Sequence, residues 1–203
     1  MTPESCHIHI GQAGVRLGHS TWELYSLEQN IGSDGRNNDA NPDDPWDLPP
    51  STTLFYERET GKYVPRSIFI DPDPSSIDEI RNGTFKSLFP PEQLLSGNES
   101  TSGNFAHGYH GVDKQLINTA RDQLRRLAEN CSNLQGLFVS HSLGGGTGSG
   151  LGALFAEKIA EDFPKKSKFQ LAIYPSLQDQ DPANTFEPYN AVLSTHRFGN
   201  IAK

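Results

Sequence analysis

No stretch of this sequence approaches the roughly 20 consecutive apolar residues a bilayer-spanning helix needs. Its first residues, Met1 to Gly14, lack the basic start and apolar run of a signal peptide. A membrane partner is therefore not expected. Basic residues are scarce, with 17 Lys and Arg against 25 Asp and Glu and a formal net charge of −8. The densest cationic cluster is Lys165, Lys166 and Lys168, far too small for counterion-driven binding, so DNA and RNA are excluded as main partners. Cysteine is nearly absent: Cys6 and Cys131 alone cannot make a disulfide framework, which points to a reducing, cytosolic setting. Apolar content is low at 34%. The shortfall is concentrated in two polar stretches, Gly32–Thr53 and Leu95–Gly103, and elsewhere the density suits one domain with a sizeable core.

What remains reads as alternating strands and helices. Cys6, Ile8 and Ile10 alternate with His7 and His9, a half-buried strand that ends at Gly11. A helix follows with Val15, Gly18, Trp22 and Tyr25 on one stripe and Leu24, Leu27 and Ile31 beside it, and Gly32 is placed to cap it. Asp34–Pro50 reads as a mobile surface loop. Leu54–Arg58 and Tyr63–Arg66 form a hairpin, and Ser67–Ile70 a short strand running into Asp71-Pro72-Asp73-Pro74. Ser76 and Glu79 read as a capping box opening a short helix that ends at Asn82-Gly83. A long helix covers about Asp113–Asn130, burying Leu116, Ala120, Leu124, Leu127 and Cys131. The runs Gly136–Val139 and Phe169–Tyr174 read as strands covered on both faces. A helix through Phe155 and Ile159 lies between them, and Glu187-Pro188 opens a last one. The pattern predicts an α/β fold, a doubly wound, mainly parallel Rossmann-like sheet of order 3-2-1-4-5, with strands near Ile8, Ile68, Val139 and Ile173 and the hairpin region supplying the fifth.

The chemistry concentrates at Gly144-Gly145-Gly146-Thr147-Gly148-Ser149-Gly150. This run joins an apolar strand to a helix, where a parallel sheet places its ligand. Consecutive N–H groups without Cβ atoms between them can converge on one anion, aided by the helix N-terminus. A linker is the plain alternative, but linkers do not sit between a buried strand and an amphipathic helix. It is not a Walker A loop, because Leu151 follows Gly150 where a lysine is required. No register gives G-x-G-x-x-G, so the dinucleotide fingerprint fails as well. Gly11-Gln12-Ala13-Gly14 is a second glycine turn at a strand end, and the pair suggests a ligand lying across both.

These two motifs together resemble the tubulins. The likeness continues through Trp22-Glu23-Leu24-Tyr25, Asp34-Gly35, Val64-Pro65-Arg66, Pro91-Glu92-Gln93-Leu94, Lys165-Lys166-Ser167-Lys168, Ile173-Tyr174-Pro175 and Glu187-Pro188-Tyr189-Asn190, in order and in the style of the α type. It runs from Cys6 to His196. It implies one GTP-binding domain over residues 1–203, carrying an acidic loop at 32–53 and incomplete at the C-terminus. GTP and a magnesium ion (Mg2+) are the implied cofactors, β-tubulin and the microtubule lattice the implied partners, and the cytoplasm and cytoskeleton the implied place.

By the same resemblance Gln12 contacts the phosphates and the magnesium shell. Asp73 stands at the position of a magnesium-associated glutamate, one methylene shorter. Ser142, Gly145, Gly146, Thr147 and Gly148 hold the phosphates, Asn104 belongs to the phosphate-side loop beside Gly103, and Glu187 meets the ribose. Three departures stand out. Gln178–Phe186 is longer than the family pattern, the Asp34–Pro50 loop has no lysine for the acetylation known there in α-tubulins, and Arg197–Lys203 no longer resembles the family. The segments that recognise guanine, form the central helix and activate hydrolysis fall beyond the matched part, so the isolated chain is expected to turn over no GTP.

Other residues read more plainly. His7 and His9 share a strand face and could pair on a metal, but no third ligand is near and a polar strand face is the simpler expectation. Asp71 and Asp73 suit a metal shell better than acid–base work, because proline on both sides fixes Asp73 at a strand end. Cys131 reads as a core residue. Three functions compete: a cytoskeletal GTP-binding protein, a GTPase in its own right, and a remnant without independent polymerisation or hydrolysis.

Overall fold

A computed structural model describes residues 2–38, 50–176 and 185–201. Five parallel strands form the central sheet: β1 (Glu4–Ile10), β4 (Ser67–Asp71), β5 (Leu94–Ser96), β6 (Leu134–Ser142) and β7 (Ser167–Ile173). Their spatial order is β5-β4-β1-β6-β7, which in chain order is the expected 3-2-1-4-5. The register pairs Ile8 with Ile68 on one side and with Val139 on the other, so β1 is central. The hairpin exists, as β2 (Phe55–Glu57) and β3 (Tyr63–Pro65), but it forms its own antiparallel pair. The fifth strand is β5 instead, at the start of a stretch read as polar loop. Three residues are too few for a period of 2 to show, and only its register with Phe69, Ile70 and Asp71 reveals it.

Helices cover the sheet on both faces. On one face α3 (Lys114–Glu129) and α4 (Gly152–Asp162) bury Leu116, Ala120, Leu124, Phe155 and Ile159 against Cys6, Ile8, Ile10, Leu137 and Val139. On the other, α1 (Gly11–Glu28) and α2 (Pro74–Asn82) enclose Val15, Trp22, Phe69, Ile77 and Phe89. His7 and His9 belong to this second core, which corrects the expectation of a polar strand face. Trp22 Nε1 donates to His9 Nε2 at 3.1 Å, and His9 Nδ1 lies 2.6 Å from Ser140 Oγ. An indole can only donate, so Nε2 is the acceptor and Nδ1 carries the proton. Burial pushes His9 down to about 3 and His7 down to about 4, keeping both rings neutral.

Several boundaries differ from the sequence reading. Gly32 does not cap α1. The helix stops at Glu28, Asn30 takes the left-handed conformation (φ 54°), and Ile31 N closes the end on Ser26 O at 2.8 Å. Leu24 and Leu27 face outward, 54% and 69% exposed. The capping box is also corrected: Asp73 is the cap of α2, its carboxylate accepting from Ser75 N at 2.9 Å. Ser76 donates instead to Asp71 at 2.5 Å, and Glu79 pairs with Arg16 at 2.8 Å. Of the strands read as doubly covered, β6 is buried against α3 and α4 and only in part on its other face, and β7 is exposed along nearly its whole length. Phe138, Phe169, Leu171 and Ile173 all point to the α1 side, beyond the reach of α1, and are 41–57% exposed. The cause is position, because β7 is the sheet's edge strand and α1 lies over β1, β4 and the Ser140–His141 end of β6, short of Phe138. Most of the Asp34–Pro50 loop and most of Gln178–Phe186 lie outside the described residues.

Candidate phosphate-binding site

Every strand of a parallel sheet delivers its loop to the same edge, and here four of those loops meet. The turn from β1 into α1 has Gly11 at φ 72°, a conformation that favours glycine and lets the helix begin directly at the strand end. That turn presents Gln12. From β4 come Asp71 and Asp73, from the loop after β5 Ser100, Thr101 and Gly103, and from β6 the glycine run. Together they line a cleft of about 320 Å³. Of the expected site residues, Gln12, Asp73, Ser142, Gly145, Gly146, Thr147 and Gly148 line it together.

The glycine run continues from β6 through a five-residue π-turn, Thr147–Leu151, into α4. The N–H groups that open such a helix have no preceding carbonyl to bond, so they are free for an anion. Ser149, buried at the bend, ties the loop to itself by donating to the Gly145 carbonyl. The two central glycines have different surroundings. A Cβ on Gly146 would meet Asn104 N at 2.4 Å and Thr101 Oγ1 at 2.7 Å, so this residue is glycine because the neighbouring loop lies against it. A Cβ on Gly145 would meet nothing within 4 Å, because it faces open cleft.

Asn104 and Glu187 do not line this cleft. The Asn104 side chain accepts from Ala106 N at 2.8 Å and so caps the next turn, while its backbone packs on Gly146. Glu187 opens α5 (Glu187–Ile201) and lies against Gly144, at the far end of the glycine run.

Two residues matter here that sequence reading passed over as site residues, Thr101 and Asn190, and a third, Asp71, was read only as one of a carboxylate pair. Thr101, 4% exposed, shares a hydrogen bond with the Thr147 hydroxyl at 2.9 Å and joins the two loops. Asn190, also buried, holds three segments through its one amide, and only its place in a likeness to a known family could have drawn attention to it. Asp71 is the buried member of the carboxylate pair. Burial raises its affinity for a proton, although Ser76 and the Asp73 amide donate to it. Asp73 is the more accessible, and the hydrogen bond from Ser75 N holds its carboxyl below the usual range.

The residues suit a nucleotide phosphate chain with a hard cation. The amides and hydroxyls are anion donors, and the carboxylates are oxygen ligands. Among the described residues no three His, Cys, Asp or Glu side chains converge on a metal. An ion here would be held by one or two carboxylates together with phosphate and water, which is the habit of magnesium.

Comparison with known proteins agrees with this geometry. The family described as "Tubulin/FtsZ family, GTPase domain" matches residues 4–203. The Tubulin alpha-2 chain of Emericella nidulans is 54% identical over 196 residues, covering 97% of this chain and 43% of its own length. The Tubulin alpha-2 chain of Caenorhabditis elegans is 48% identical over 193 residues, 95% of this chain and 42% of its own. The Tubulin alpha-2 chain of Schizosaccharomyces pombe is 47% identical over 199 residues, 98% of this chain and 44% of its own. The chain thus spans less than half the length of these relatives. The parallel sheet, the glycine loop at its edge and a match over nearly every residue make one case: this chain belongs to the tubulin/FtsZ family, through its GTPase domain.

Proposed function

We propose that this chain binds GTP with magnesium at the sheet edge, as one tubulin-type nucleotide-binding domain over its 203 residues. The observation that carries the reading is the convergence of the Gly11 start of α1 and the glycine run leading into α4 on one cleft that also holds two carboxylates. In this reading the amides of Gly145, Gly146, Thr147 and Gly148 hold the phosphates, with the hydroxyls of Ser142 and Thr147. Gln12 orients the phosphate end and its hydrated cation. Asp73, short and accessible, reaches the magnesium shell through water, and the cation supplies charge neutralisation of the phosphates when bound. Glu187 meets the ribose where α5 begins beside Gly144. Asn104 acts through its backbone, which fixes the position of Gly146.

The relatives' names extend the proposal to a cytoskeletal role: an α-tubulin-like subunit pairing with β-tubulin in the cytoplasm and contributing to microtubules. The reading assigns nucleotide binding to these residues and leaves turnover to a completed assembly. A second reading is favoured by one feature, the uncovered apolar face of β6 and β7: a chain that does not polymerise or hydrolyse GTP by itself. Titration with a fluorescent GTP analogue, competed by unlabelled GTP and by ATP, tests the binding claim. One saturable site, displaced by GTP far better than by ATP and weakened by magnesium chelation, is expected. Equal displacement by ATP would replace the guanine claim with a general phosphate site.

A further inference from the structure

At the opposite end of the sheet from the phosphate cleft, the chain's two cysteines meet. Cys6 lies near the start of β1 and is fully buried, and Cys131 lies in the turn after α3 and is partly exposed. Their sulfurs are 3.8 Å apart, although the residues are 125 positions apart in sequence. Arg66 Nη1 donates to Cys131 Sγ at 3.3 Å, while the same guanidinium is anchored by Glu4 at 2.6 Å. Cys131 also lines a shallow surface depression with Arg125, Lys166 and Glu129, the side from which a small molecule would approach it.

We propose that Cys131 and Cys6 form a thiol modification site, in which Cys131 is attacked first by a low-molecular-weight disulfide and Cys6 then closes an intramolecular Cys6–Cys131 disulfide. The chemistry balances without further reagents. The Cys131 thiolate attacks one sulfur of the small disulfide, forming a mixed disulfide and expelling one thiolate. Cys6 gives up its proton to solvent or to the departing thiolate and attacks the Cys131 sulfur. The second small thiolate leaves, so that two protein thiols are oxidised and one disulfide reduced.

The order of attack follows from the surroundings. The hydrogen bond with Cys6 and the Arg66 guanidinium hold the Cys131 thiol below its ordinary value, whereas the Cys131 contact and burial push Cys6 up. Thiolate character and access thus coincide at Cys131. Bond formation needs the sulfurs to close by less than about 2 Å. Cys131 sits in the turn that follows α3, where Arg66 holds the Asn130 carbonyl and Glu4 the Asn133 amide, so the closing movement falls on the two side chains and on Cys131 itself. The bridge would tie the start of β1 to the end of α3 and restrict the unfolded chain. Because it lies across the sheet from the nucleotide cleft, it stands or falls independently of nucleotide binding.

The test is reaction of the native 203-residue chain with the aromatic disulfide DTNB, followed by non-reducing peptide mapping by mass spectrometry. The wild-type chain should release two equivalents of the chromophore, the second after the first, and yield a Cys6–Cys131 linked peptide pair with no retained adduct. In Cys6→Ser one equivalent should be released and the adduct should persist on Cys131. In Cys131→Ser the remaining thiol should react at least about tenfold more slowly. The oxidised wild type should melt at a higher temperature than the reduced chain. A wild-type adduct that persists on Cys131, adducts on both cysteines, or no reaction until denaturant is added would each overturn the proposal.

Discussion

The side-chain nitrogen of Asn190 donates to the carbonyl of Gly144 at 2.7 Å, joining the last helix to the first glycine of the loop. The same nitrogen donates to Gly103 O at 2.7 Å, and the side-chain oxygen accepts from Phe105 N at 3.1 Å. One buried amide thus fixes the glycine loop, the polar loop after β5 and α5 relative to one another. Asn190→Ala removes three hydrogen bonds and leaves the buried Gly144 carbonyl and Phe105 amide unpaired, a cost of about 2–4 kcal/mol. Thermal melting should show that loss, with nucleotide affinity reduced by about tenfold or more. Asn190→Asp should be at least as damaging, because a carboxylate would then face two carbonyl oxygens. Unchanged melting and affinity in both variants would remove Asn190 from the account.

The contrast between Gly145 and Gly146 separates folding from binding. Gly146→Val should destabilise the loop itself, since its first side-chain carbon already meets Asn104 N at 2.4 Å. Its loss of nucleotide binding would therefore be indirect. Gly145→Val places its methyl groups in open cleft, so melting should move little while GTP affinity falls by about tenfold or more. A Gly145→Val chain that binds GTP normally would show that the cleft is not the phosphate site.

Stability should fall as the solution is acidified below neutrality. His7 and His9 are held neutral in the fold, at about 4 and about 3, against 6.5 for a free histidine. Between those values the unfolded chain binds more protons than the folded one. Stability is therefore complete above about pH 6.5 and is lost as pH falls through that window toward about 4, by at most about 1.4 kcal/mol per pH unit for each ring. Melting curves between about pH 7.5 and about pH 5 check the slope. In His7→Phe the slope should be shallower, and an identical slope would locate the pH dependence elsewhere.

The uncovered strip on β6 and β7 should make this chain self-associate. Phe138, Phe169, Leu171 and Ile173 form a contiguous exposed apolar face, with Phe138 stacked on Phe169 at 4.9 Å between ring centroids. Burial is worth roughly 25 cal/mol per Å², so such a face favours contact with anything that covers it. Sizing chromatography should show oligomers or aggregates, and Leu171→Lys with Ile173→Lys should shift the profile toward monomer. A monodisperse wild-type monomer would contradict this.

Much of the fold was legible because it rests on local signals. The apolar alternation at Cys6–Ile10, the stripe from Leu116 to Leu127 and the glycine punctuation at Gly11 and Gly144–Gly150 each report a nearby constraint. So the central strand and the position of the glycine loop followed from them. The order of the sheet came from the order common to such folds, and the identity of its fifth strand did not follow at all. What escaped depends on distant partners. Leu94–Ser96 is a strand only because β4 lies beside it. His9 is buried because Trp22 and Ser140 complete its hydrogen bonds. Asn190 and Thr101 look like ordinary polar residues until the loops they join are brought together. In the same way Leu24 and Leu27 fit a helical stripe, yet α1 turns them to solvent.

The most direct test of the central claim is amide hydrogen exchange of the chain with and without GTP and magnesium. If backbone N–H groups hold the phosphates, the peptide containing Gly145, Gly146, Thr147 and Gly148 should exchange measurably more slowly when nucleotide is bound, as should the turn at Gly11–Gln12. Saturable GTP binding that leaves exchange in both segments unchanged would contradict the account.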